Sequence, residues 1–145
     1  MGAGGSAPAG GRGAVMLLSE SITEVSVVRL RHAVAAAAGA AGLADGALED
    51  FVLAVHELVT NVVRHGGGSG QLRLVRATSS LSCQVIDHGP GAGEVMVALP
   101  NPEMEGGRGL WLAQQLADDL VVDSGPHGVT ATVTAHLAAP GGEHQ

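Results

Sequence analysis

The stretch from Asp45 to His65 decides most of what this chain can become. Leu48, Phe51, Val52, Val55, Leu58, Val59, Val62 and Val63 recur at steps of three and four, which gathers them on one face of a helix. Asp45 can cap that helix, and Gly66-Gly67-Gly68 stops it. A helix this long and this one-sided must lay its apolar face on another layer. Residues 71–77 and 81–87 alternate apolar with polar and are joined by Thr78-Ser79-Ser80, which predicts a β-hairpin. A second hairpin pairs 120–124 with 129–137, where Val129, Ala131, Val133, Ala135 and Leu137 alternate with Thr130, Thr132 and Thr134. Upstream, residues 14–18 read as a short edge strand. Ser21-x-x-Glu24 reads as a capping box before a helix carrying Val27, Leu30, Val34, Ala37 and Ala41, which stops near Gly42. Residues 108–118 predict a third helix. Strand, two helices, hairpin, loop, helix and hairpin together predict an α+β fold: a two-layer α/β sandwich whose mixed, mostly antiparallel sheet carries helices on one face.

The 145 residues suffice for one domain, expected over 14–137, between a Gly/Ala-rich tail of disordered composition (1–13) and a short polar tail (138–145). Phe51 and Trp111 are the only aromatics, so the core must be built from Ala, Val and Leu, with Trp111 expected to plug it. Seven basic residues, all Arg, face 14 acids for a net charge of −7. That balance argues against direct nucleic-acid binding, which depends on cations gripping phosphates. Cys83 is single and sits in an apolar stretch, so it is expected to be a buried free thiol. The histidines show no convergent zinc spacing. Neither an apolar run of membrane-spanning length nor an export signal is present, which predicts a cytoplasmic protein with no membrane role.

Three constellations carry chemistry. Glu57, Asn61 and Arg64 fall within an arc of about 60° on the long helix, opposite its apolar face. They are the parts of a base, a Mg²⁺ ligand and a phosphate contact; read alone, they also suit a solvated face. Asp87-His88-Gly89-Pro90-Gly91 ends an apolar strand, placing a carboxylate that can accept from an exocyclic amine beside glycines that admit a flat ligand. The same residues make an ordinary turn. Gly106-Gly107-Arg108-Gly109-Leu110 opens the third helix, where free N–H groups, the positive dipole end and a guanidinium suit an anion; the bland alternative is a flexible helix entry.

In this order and spacing, Glu57-Leu-Val-Thr-Asn61-Val-Val-Arg-His65-Gly66, Asp87-His-Gly-Pro-Gly91 and Gly107-Arg-Gly109-Leu110 resemble the N, G1 and G2 boxes of the GHKL, or histidine-kinase-like, ATPase superfamily. The likeness covers residues 17–137 and is nearest to the small bacterial anti-sigma-factor serine/threonine kinases and their stand-alone relatives. It implies ATP and Mg²⁺ as cofactors, Glu57 as general base and Asn61 as metal ligand. It also implies Asp87 as acceptor for the adenine amine, Gly89 and Gly91 as the turn beneath the base, and residues 92–106 as a short lid. Arg64 and Gly107, Arg108, Gly109 and Leu110 would face phosphate, and Thr130 of Gly128-Val-Thr130 would lie near the adenine. The implied activity is phosphorylation of Ser or Thr in an anti-sigma antagonist, coupled to sequestration of a sigma factor. A non-catalytic, nucleotide-dependent partner-binding switch is the alternative. The Ala-rich half of the first helix offers a possible homodimer face.

Overall fold

The computed structural model describes residues 14–65, 68–88, 107–125 and 128–137. Its elements follow the order β1 (Val15–Ile22), a 3₁₀ turn (Glu24–Ser26), α1 (Val27–Ala40), α2 (Asp45–His65), β2 (Gly70–Arg76), β3 (Ser80–Asp87), α3 (Gly107–Leu116), β4 (Asp119–Gly125) and β5 (Gly128–His136). The five strands form one sheet in the order β1-β2-β3-β5-β4, and each of the four pairings is antiparallel.

Strict alternation fixes which face of the sheet is covered. Leu72 and Leu74 of β2, Leu81, Cys83 and Val85 of β3, and Val129, Ala131, Val133 and Ala135 of β5 are buried. Against them lie Leu30, Val34 and Ala38 of α1 and Phe51, Ala54, Val55, Leu58, Val59 and Val62 of α2. Each large side chain withdrawn from water contributes about 1.5–3 kcal/mol, so this single α/β interface carries the fold. The opposite face is polar: Ser82 and Thr134 share a hydrogen bond of 3.1 Å, and Gln71 Nε2 donates to Ser19 Oγ at 3.1 Å. The two-layer α+β architecture with helices on one face is therefore present. No described helix is long and apolar enough to cross a membrane.

Three local expectations need correction. Ser21 does not cap the first helix, because β1 continues to Ile22, which pairs with Gly70. The reciprocal bond forms two residues later, where Thr23 N–H donates to Ser26 Oγ at 2.9 Å. Asp45 lies inside α2 as its first residue with φ 54°, and Ala44 carbonyl accepts from Leu48 N–H at 3.1 Å. Trp111 does not plug the core: it is 37% exposed on α3, whereas Ala113 of the same helix is completely buried. Trp111 and Ala113 are two positions apart, about 200° around the helix, so turning the methyl group inward turns the indole outward.

Candidate functional site

Where α2 crosses the ends of β3 and β5, the structure leaves a small pocket, open to solvent, lined by Leu58, Asn61, Val62, Val85, Asp87, Val129 and Ala131. Five of these walls are aliphatic. The two polar ones are themselves buried, Asn61 at 8% exposure and Asp87 at 6%. Asp87 points inward because it shares strand phase with Leu81, Cys83 and Val85. An amide and a carboxylate facing an apolar slot are what fix the orientation of a flat, polar-edged ligand.

Asn61 corrects the expected geometry of the polar stripe. At 100° per residue it stands about 90° from the middle of the arc of buried residues Phe51, Ala54, Val55, Leu58, Val59 and Val62, whereas Glu57 stands about 130° and Arg64 about 150° away. Burial follows that order: Asn61 is buried, Glu57 half-buried and Arg64 exposed. The stripe is thus a ramp leading from solvent into the pocket, and it is not simply the face opposite the core.

The histidine kinase-like ATPase domain matches residues 21–135, most of the chain. The chain belongs to that family. No curated protein matches it. Family membership makes this an ATP-binding, kinase-like domain, and the pocket lining is chemically compatible with a base: the buried Asp87 carboxylate is of a type that accepts from an exocyclic amine, and Leu58, Val62, Val85, Val129 and Ala131 are apolar walls. Mg²⁺ fits Asn61 by ligand type. No group of three or more His, Cys, Asp or Glu that could cage a cation occurs among the described residues, and Mg²⁺ commonly takes one or two protein oxygens, with phosphate and water completing its shell.

The remaining expected site residues of the histidine kinase-like ATPase domain divide cleanly. Glu57 lies one turn before Asn61 on α2, and its carbonyl accepts from Thr60 Oγ1 at 3.1 Å. Gly107, Arg108, Gly109 and Leu110 form the first turn of α3, which packs against α2. Gly89 and Gly91 and the expected lid 92–106 lie outside the described residues. Thr130 is a correction. It pairs with Ile86, whereas Val129 pairs with Asp87, so the Thr130 side chain takes the outer face of the sheet and Val129 takes the pocket wall.

Sequence reasoning missed Val129 and His56. The apolar phase of β5 contained the signal for Val129, since whatever shares phase with Ala131 and Val133 must face the helices. His56, next to Glu57, keeps a buried Nδ1 with no hydrogen-bond partner among the described residues. Burial first, then Arg31, hold its imidazole below its ordinary range; Glu57 opposes this and Arg64 adds to it.

Proposed function

We propose that this domain is a protein serine/threonine kinase of the anti-sigma-factor type, which transfers the γ-phosphoryl group of ATP to Ser or Thr of an anti-sigma antagonist and sequesters a sigma factor in the cytoplasm. The observation that carries this reading is the meeting of Asn61 and Asp87 in one apolar slot with Glu57 a turn away on the ramp. Asp87 accepts from the adenine amine and holds the base; Asn61 presents its side-chain oxygen for Mg²⁺. Bound Mg²⁺-ATP supplies the phosphoryl group. Glu57, half-buried and still reachable from solvent, would take the proton of the acceptor hydroxyl as that oxygen bonds to the γ-phosphorus and the bond from phosphorus to the bridging oxygen breaks, releasing ADP. Arg64 and the α3 entrance, Gly107 to Leu110 with Arg108, offer a guanidinium and backbone N–H groups to the phosphates.

The test is label transfer from γ-labelled ATP to candidate antagonist proteins, using wild type and Glu57→Gln. A carboxamide keeps the shape of Glu57 and cannot accept the proton, so transfer should fall by about 10²–10⁴-fold while nucleotide affinity holds. Equal transfer by the variant refutes Glu57 as base. Tight ATP binding by wild type with no transfer to any antagonist would make the domain a nucleotide-dependent binding switch.

A further inference from the structure

The carboxylate of Asp87 can read a base only if its backbone is held still, and two glycines on different strands do the holding. The carbonyls of Ile86 and Asp87 belong to the two peptide groups that flank the Asp87 Cα, and in a strand they point to opposite neighbours. On the β2 side, Gly70 is the register partner of Asp87, and a Cβ on Gly70 would collide with the Ile86 carbonyl oxygen and lie 3.4 Å from Cγ1 of the pocket residue Val62. On the β5 side, Gly128 has φ +131°, and a Cβ there would collide with the Asp87 carbonyl oxygen and lie 3.1 Å from the Asp87 carbonyl carbon. The N–H of that same peptide group, on His88, donates to Ser69 O at 3.3 Å. Each of the two peptide planes around Asp87 therefore has its carbonyl pressed against a residue that lacks a side chain.

We propose that Gly70 and Gly128 are positioning residues for nucleotide-base selection, forming a clamp that aims the Asp87 carboxylate into the pocket. The proposal rests on reading Asp87 as the adenine acceptor. A methyl group at either glycine must push a backbone carbonyl aside, because no flexible side chain is available to yield. The adjoining peptide plane rotates, and the Cα–Cβ direction of Asp87 rotates with it. Affinity for the ligand's exocyclic amine should then fall more than affinity for the rest of the nucleotide.

The test measures ADP and IDP binding by calorimetry for wild type, Gly70→Ala, Gly128→Ala and the control Gly46→Ala, where a Cβ meets nothing within 4 Å. IDP carries an oxygen where ADP carries the amine, so wild type should prefer ADP by about tenfold or more. Each clamp variant, still melting cooperatively, should bring that preference close to unity, while Gly46→Ala leaves it intact. A folded clamp variant that keeps the full preference overturns the proposal. So does one that loses ADP and IDP affinity equally, since that assigns the glycines to the sheet alone. Unfolding of both clamp variants overturns it for the same reason. A wild type that does not distinguish ADP from IDP refutes the acceptor role of Asp87 itself, an outcome separate from failure of the clamp.

Discussion

Replacing Asp87 by Asn tests the adenine reading at one functional group. The side chain is 6% exposed and, Asn61 apart, its surroundings in the slot are aliphatic, so water replaces a lost partner poorly. The substitution preserves shape and replaces one charged acceptor oxygen with an NH₂ donor. A hydrogen bond to a charged group is worth about 1.5–3 kcal/mol, which corresponds to roughly a ten- to 150-fold loss of ADP affinity. The sign for guanine is opposite: GDP presents a carbonyl where adenine presents its amine, which a carboxylate repels and a carboxamide can satisfy. Asp87→Asn should therefore weaken ADP and strengthen GDP, narrowing or reversing the preference between them. Calorimetric titration of both nucleotides into both proteins reads the change, and a thermal melt on each sample separates it from loss of fold. Unchanged ADP affinity in a folded Asp87→Asn protein, or wild-type preference for GDP, would refute the reasoning.

Four further outcomes follow from single residues. Asn61→Ala removes the oxygen assigned to Mg²⁺, so ATP affinity should drop and be partly restored by raising Mg²⁺ in the same titration. His56 has a folded-state pKa below its ordinary 6.5, so the unfolded chain binds its proton more readily. Its contribution to stability is intact above pH 6.5 and is lost as pH falls through the lowered value; melts of His56→Gln across that window should show a shallower acid decline than wild type. Leu74→Ala empties a fully buried site between β2 and the helices and should cost about 2–5 kcal/mol in denaturant unfolding. Cys83 is buried, and burial pushes its thiol far above its ordinary range, so thiol reagents should modify it only at the rate of unfolding.

Local periodicity located the elements, and tertiary pairing moved their ends. The apolar face of α2 and the alternation of β3 and β5 persist over many residues, so no single neighbour can overrule them. The capping signal at Ser21 covers only four positions, and the ladder that joins Ile22 to Gly70 claimed it. Trp111 shows the same limit. In a chain with two aromatics the indole is a natural candidate for the core, yet whether it enters depends on the rotation of α3, and the rotation that buries Ala113 completely leaves the ring, about 200° away, outside.

The site was legible in residue type and partly in placement, and its uneven legibility has one cause. A pocket forms where the rotation of a helix meets the phase of a strand. The Asp87 phase follows from alternation with Leu81, Cys83 and Val85, and the same rule assigns Val129 and not Thr130 to the inner face, since a one-residue step reverses every side chain. Helix rotation is less sharply defined, because each α2 residue advances about 100° and the boundary of its apolar face is broad. Asn61 sits at that boundary, so its burial is decided by where β3 and β5 lie beneath it and not by α2 alone. Arg64, only three residues further, swings clear of the sheet into solvent. Gly70 and Gly128 were the hardest to read, because a missing side chain becomes informative only when the carbonyl it admits is known, and those carbonyls belong to a different strand.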